Sequence, residues 1–362
     1  MRSYVQDWIV RVVTRGARVF YPSGVVALTE TLRRPQGILL VPSESLRDVL
    51  HTLPVVRVLR RAFPEAPISL MARADAADLF KEAPGLNEVI LCYPLEPPSR
   101  WKAFRQVVSE IRARHFDTLF SLDHHHDPVK ALLGYLSGAK VRVGFRNGVN
   151  RDLYNILVDP PAVEAYLADR NLTLLRSVGI DTSGIGTDWT PSDRERRIAE
   201  QLVDLRGLSQ SELLVAFEAE TDLCRDRPVL GHLSRALREE LSAKFIVVQE
   251  SPPAAYSQET DLVRPGEGVD LACRTIRDAL AILSCCDVFL CRNTNLLHFA
   301  VAMGVPTLAL LPRSVPDRIV PPASERLVVV RESQIPETQV CGIVRRLVAG
   351  RGGRGRAGDR RP

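Results

Sequence analysis

The segment CDVFLCRNTNLLHFAVAMGVPTLALL, residues 286–311, decides the fold class. Val288 to Cys291 is an apolar run of strand length, and from Leu296 the chain reads as an apolar helix. Only Arg292-Asn293-Thr294-Asn295 separates the two. Asn293, Thr294 and Asn295 are all residues able to cap the helix, and Gly304 with Pro306 just beyond stops it. Thr307–Leu311 is then a second apolar strand. Strand, polar turn, helix and strand make the repeating unit of a parallel α/β layer.

Working outward, the stretch VPSESLRDVLHTLP (41–54) has the same form. It follows the strand Gly37–Val41 and leads into a helix striped by Leu53, Val56, Leu59 and Phe63. Further strands are expected at Pro67–Met71, Glu88–Leu91 and Phe116–Leu122, with helices over Arg100–Arg114 and Val129–Gly138. A second alternating region opens at Leu213–Phe217. It continues through a helix near 230–243, the strand Lys244–Val248 and a helix over Thr275–Leu283. The polar segment Asp181–Pro191 divides the two. The expected organisation is α/β throughout. A basic amphipathic extension spans 1–36, a first Rossmann-like domain 37–185 and a second 186–335. A C-terminal helix spans 336–350 and a disordered Arg/Gly tail 351–362. Two such domains face a cleft, and ligands in such sheets bind beyond the carboxyl ends of the strands.

Charge must be located before it is interpreted. The chain of 362 residues carries 48 Lys and Arg against 43 Asp and Glu, a net of +5. Residues 1–36 hold six Arg and two acids, and residues 351–362 five Arg and one Asp. The remainder has 37 basic and 40 acidic residues, so the body is slightly acidic. That excludes a uniformly basic nucleic-acid surface. No run approaches the length of a membrane span. Residues 1–36 lack a signal peptide's compact apolar stretch. The seven Cys (92, 224, 273, 285, 286, 291, 341) have no C-x-x-C spacing, which fits a reducing cytoplasm. Trp8–Tyr21 interleaves Arg with bulky apolar residues. That pattern suits an interfacial helix, and equally a helix packed on the domain with its Arg in water.

Three clusters carry candidate chemistry. The free N–H groups and dipole at the helix start near Leu296 make an anion site, with His298 in the first turn; a plain cap reads the same way. Asp48 near the start of the first helix is either a helix-dipole carboxylate or a general base at the mouth of the cleft, with His51 one turn on. Asp123-His124-His125-His126-Asp127 is expected to make acceptor contacts or to be a solvated loop. A metal site ranks last, because neighbouring residues on a strand alternate faces.

On these motifs the chain resembles the bacterial heptosyltransferases of lipopolysaccharide synthesis, glycosyltransferase family nine. Asp48-Val49-Leu50-His51-Thr52-Leu53-Pro54 matches the family's first motif, with Arg47 where the family has Gly. Leu59–Pro64, Leu136–Lys140 and Val143–Phe145 also match. Asn293-Thr294-Asn295-Leu296-Leu297-His298 with Gly304-Val305-Pro306 matches the second motif, Asn293 replacing Asp and Asn295 replacing Gly. Pro312–Pro316 departs from the family's Gly-Pro-Thr-Asp-Pro.

The resemblance implies a GT-B fold and inverting, metal-independent sugar transfer, with no cofactor. The donor would be ADP-heptose or another nucleotide-diphosphate sugar, and the acceptor a lipopolysaccharide core or glycolipid. It implies Asp48 as the base and Thr294, Asn295, Leu296 and His298 as the diphosphate seat, with Asn293 beside the sugar. Thr221 and Arg225 align with the family's phosphate contacts at the head of the second domain. Glu218, Glu220 and Asp222 would put three carboxylates on that face. The expected location is cytoplasmic, peripheral on the inner membrane, with no nucleic-acid partner. The alternative is a catalytically degenerate GT-B protein that binds a nucleotide or glycan. Asn293, Asn295 and Pro312–Val315 favour that alternative; Asp48 and His298 oppose it.

Overall fold

Strands covered on both faces must be apolar at every position, and the sequence obeys this in Ile38-Leu39-Leu40-Val41, all buried. In the computed structural model, residues 28–43, 45–81, 83–92, 101–124, 127–146, 153–161, 166–208, 213–218, 227–248, 268–270, 273, 275–292, 294–331 and 337–349 are described. The Trp8–Tyr21 segment and the Arg/Gly tail lie outside them. The chain divides into two units, residues 1–187 and 188–362.

The first unit contains β1 (Ile38–Val41), β2 (Ile68–Ala72), β3 (Glu88–Leu91), β4 (Thr118–Ser121), β5 (Val141–Phe145) and β6 (Ile156–Val158). Its helices are α1 (Leu28–Arg33), α2 (Leu46–Leu50), α3 (Leu53–Ala62), α4 (Ala74–Phe80), α5 (Trp101–Ala113), α6 (Pro128–Leu136) and α7 (Leu167–Ser177). All strand pairs are parallel, in the order β3-β2-β1-β4-β5-β6. Leu39, Val41 and Met71 from the strands pack with Phe104 and Ile111 of α5 and Leu133 and Tyr135 of α6. Gly144 in β5 is dictated by packing. A methyl group there would stand 2.9 Å from the Tyr154 ring. Arg57 and Arg61, one turn apart on α3, hold the segment after α7. They donate to the carbonyls of Gly186 at 2.7 Å, Ser183 at 2.8 Å and Asp181 at 2.6 Å.

The second unit contains β7 (Leu213–Glu218), β8 (Ala243–Val248), β9 (Gly268–Asp270), β10 (Val288–Cys291), β11 (Thr307–Leu310) and β12 (Leu327–Val330). Its helices are α8 (Asp193–Leu205), α9 (Arg227–Leu241), α10 (Ile276–Cys285), α11 (Asn295–Ala302) and α12 (Glu337–Ala349). The strands are again all parallel, in the order β12-β11-β10-β7-β8-β9. Val215, Phe245, Leu290 and Leu308 pack with Leu237 of α9 and Val344 of α12. The helix pair α8–α10 is pinned by Arg277, which donates two hydrogen bonds to the Glu195 carboxylate, one of them 2.9 Å from Nη2 to Oε2. Among the described residues no helix is long and apolar enough to cross a membrane.

β5, β6, β9, β12, α1, α4, α7 and α8 have no counterpart in the sequence pattern. β6 and β9 are three residues each, too short for a periodic signal. α8 buries only Ala199 and Val203, so its apolar inner face is two residues wide.

Candidate functional site

In each sheet the strand order reverses once, between β1 and β4 and between β7 and β10. At such a reversal the connections leave in opposite directions, and the carboxyl ends of the two strands are left open to a ligand. Both informative turns of the sequence leave those ends.

After β1, Ser45 takes an extended backbone and caps α2, its Oγ accepting from the Asp48 N–H at 3.1 Å. That places Asp48 in the first turn with its side chain 13% exposed, and Arg47 Nε lies 4.0 Å from Oδ1. The Thr52 hydroxyl donates to the Asp48 carbonyl at 3.1 Å. His51 follows one turn beyond Asp48. It is fully buried, its ring edge-on to Tyr166 at 4.7 Å between centroids. Burial, then the charges of Arg47 and His124, lowers its pKa to about 3, so the imidazole stays neutral.

A polar chain behind this turn fixes its position. The buried Asn171 of α7 donates from Nδ2 to the His51 carbonyl at 2.9 Å. Its Oδ1 therefore faces His124 Nε2, at 2.6 Å, and that nitrogen is the donor. The His124 ring lies against Phe145 at 4.6 Å. This half-buried inward placement corrects the solvated-loop reading for His124; His125 and His126 lie outside the described residues. Next to it, the buried Asp123 accepts from Ser43 Oγ at 3.0 Å, tying the end of β4 to the end of β1. Asp127 caps α6, accepting from the N–H groups of Val129 at 2.9 Å and Lys130 at 3.1 Å.

After β10, Thr294 is the residue preceding α11, with extended backbone, but its side chain makes no cap hydrogen bond. Its hydroxyl instead donates to Glu218 Oε2, at 2.7 Å, across the β7–β10 reversal. This corrects the expected side-chain cap. A bond to a buried carboxylate outcompetes one to a neutral amide. Glu218 is itself buried, and its carboxylate stands at this turn and accepts the hydroxyl's hydrogen bond. Burial, then the Glu218 charge, pushes the thiol of the neighbouring Cys291 well up.

His298 and Leu296 are buried, and Asn295 is half-buried at the helix start. Leu296 can thus serve an anion only through its backbone N–H. Gly304 closes the helix at φ +67°, its N–H donating to the Val301 carbonyl at 3.0 Å. The unusual loop Pro312–Pro316 after β11 is held by Arg331, which donates to the Val315 carbonyl at 2.5 Å and pairs with Asp317. Asn293, Thr221, Arg225, Glu220 and Asp222 lie outside the described residues. Among the described residues no three His, Cys, Asp or Glu side chains gather to hold a metal.

The sequence reading missed Asn171, the Ser43–Asp123 pair and the Glu218–Thr294 bond. Each joins residues far apart in the chain, and none leaves a local signal.

No curated protein sequence matches the chain. Solved structures do. A glycosyl transferase family 9 protein from Veillonella parvula superposes with a TM-score of 0.75 at 18% identity, over 88% of this chain and 98% of that one. The E. coli ADP-heptose lipopolysaccharide heptosyltransferase II gives 0.69 at 18%, over 88% and 100%. The E. coli heptosyltransferase WaaC with ADP gives 0.64 at 17%, over 85% and 99%. At such identities these likenesses establish the fold, two parallel α/β sheets as in the GT-B transferases. The sequence itself carries the closer relation. Residues 104–342, more than half of the chain, match the model of glycosyltransferase family 9 (heptosyltransferase), and the chain belongs to that family.

Proposed function

We propose that the protein transfers a heptose-like sugar, with inversion, from a nucleotide-diphosphate donor to a hydroxyl of a lipopolysaccharide-core or glycolipid acceptor. Family membership makes it a glycosyltransferase; the donor, acceptor, stereochemistry and residue roles are the proposal. The observation that carries it is the position of Thr294–His298. This turn and helix start leave the carboxyl end of β10 at the order reversal of the second sheet. The first-turn N–H groups of α11 have no intrahelical acceptor, and the helix dipole adds positive potential there. Asn295 and Leu296 would bind the diphosphate through the backbone, with His298 donating from the first turn. The Thr294 hydroxyl is spent on Glu218, so its part is to fix the turn. ADP in the similar E. coli structure supports an adenine nucleotide.

In this reading Asp48 takes the proton of the acceptor hydroxyl as its oxygen bonds to the anomeric carbon. The bond from that carbon to the diphosphate oxygen breaks on the opposite side, and the nucleoside diphosphate leaves. The α11 N-terminus and His298 meet the charge on the leaving group, with no metal or cofactor required. A glycolipid acceptor implies work at the cytoplasmic face of the inner membrane.

The test is nucleoside-diphosphate release from a panel of donors with a lipopolysaccharide-core acceptor. Asp48→Asn keeps shape and removes proton acceptance. Its turnover should fall by ~10²–10⁴ with donor affinity little changed. Wild-type turnover in Asp48→Asn removes the base assignment. Nucleotide binding without turnover by the wild type, on any donor, would leave a relative that has lost its chemistry.

A further inference from the structure

α8 exposes side chains that a helix ordinarily buries. Leu205 is 82% exposed, Ile198 48% and Leu202 39%, while Ala199 and Val203 on the inner side are buried. The three recur at i, i+4 and i+7 and so share one face. The helix that carries the stripe is anchored at its start. Ser192 and Glu195 form a capping box at the start of α8, and Glu195 is also clamped by Arg277 of α10.

Its surroundings are ordered by charge. One ridge of the helix reads Arg194, Ile198, Leu202, Arg206, and the next reads Arg197, Gln201, Leu205; all seven are exposed. The apolar centre is therefore bordered by guanidinium groups. The acids of α8 are paired or lie off this face. Glu195 is taken by Arg277, Asp193 pairs with Arg196 at 2.8 Å, and Glu200 and Asp204 fall beyond the Arg197 ridge.

We propose that this face of α8 docks on an anionic lipid bilayer. Ile198, Leu202 and Leu205 enter the interface between headgroups and acyl chains, and Arg194, Arg197 and Arg206 meet lipid phosphates. This is the arrangement of an interfacial helix, with basic side chains reaching up around an inserted apolar stripe. The charge pattern selects this occupant. A second copy of the chain would bring the same Arg residues against themselves. The patch, on the order of 300 Å², also falls well short of the ~800 Å² per partner of a stable protein interface. The inference stands on α8 alone and does not depend on the nucleotide reading.

Flotation of the full chain with phosphatidylglycerol-containing vesicles and with pure phosphatidylcholine vesicles tests it. Wild type floats with the anionic vesicles only. The combined Ile198→Gln, Leu202→Gln and Leu205→Gln variant should lose binding by about tenfold, and Arg194→Gln with Arg197→Gln and Arg206→Gln should lose the preference for anionic lipid. Should the triple Gln variant melt early, Leu205→Gln alone gives the reading, since that side chain is almost wholly in solvent. Nucleotide titration on the same samples reports separately on the α11 site. Absence of wild-type flotation overturns the proposal. So does flotation undiminished in the Gln variants, which would put the contact elsewhere in the chain. A concentration-dependent dimer that these variants dissolve would overturn it in favour of self-association.

Discussion

The turns after β1 and β10 occupy the same place in two sheets of the same design and share one carboxylate–hydroxyl tie across the strand-order reversal, yet only the first carries a carboxylate of its own. After β1 a carboxylate from beyond the neighbouring strand, Asp123, takes the Ser43 hydroxyl. A second carboxylate, Asp48, belongs to the turn's own helix, and a neutral chain of the His51 carbonyl, the Asn171 amide and His124 lies behind it. After β10 the carboxylate comes from the neighbouring strand, Glu218, and it holds the turn by taking the Thr294 hydroxyl. The first arrangement leaves a carboxylate side chain for chemistry. The second consumes its carboxylate in structure and leaves backbone N–H groups. The shared tie fixes each turn at its reversal, and the extra carboxylate on α2 is what distinguishes the first from the second.

The largest effect should come from the amide behind the first turn. Asn171→Leu leaves the His51 carbonyl without its amide donor in a buried setting and His124 without its acceptor in a half-buried one. Unfolding free energy should drop by about 2–5 kcal/mol, read by denaturant melts. A drop below ~0.5 kcal/mol would mean that neutral wiring does not hold the turn.

Acid should separate the two units next. The His51 pKa is about 3 in the folded chain against an ordinary 6.5, so the unfolded chain binds the extra proton between those values. Stability from this residue is complete above 6.5 and is lost as pH falls toward 3, by up to about 4 kcal/mol. In the second unit Glu195, held down to about 2 chiefly by Arg277, keeps its contribution until pH falls below 4.5. Its share is about 1–2 kcal/mol after allowance for solvent. Hydrogen exchange from pH 7 to 4.5 should thus show β1 and β4 amides loosening while α8 and α10 amides hold. Equal loosening of both would break the contrast.

Thr294→Val tests the second wiring. Losing the hydroxyl from a buried carboxylate should cost about 1.5–3 kcal/mol, seen as faster exchange in β7 and β10. An unchanged protein would mean that Glu218 is not what fixes the turn.

How much of this was legible follows from the range of each interaction. The doubly covered strands announce themselves as unbroken apolar runs, and the helix after β10 by its polar start and Gly304-Val305-Pro306 stop. Ser192 and Glu195 also carried a capping-box spacing that could have revealed α8. By contrast, Glu218 and Thr294 are 76 residues apart, and Asn171 and His51 are 120 apart. Such pairs form only when the sheet order brings distant strand ends together. A side chain such as Thr294 looks like a cap until the neighbouring strand supplies a better acceptor.

Calorimetric titration of wild type and His298→Ala with nucleoside diphosphates decides whether the start of α11 seats such a nucleotide. With the diphosphate seated there, the wild type should bind and the variant should lose ~1–3 kcal/mol of affinity, the size of one charge-assisted hydrogen bond. Because His298 is buried, the variant's melt must be shown to be intact at the titration temperature. No heat from any nucleotide with the wild type, or equal dissociation constants for the two proteins, would contradict it.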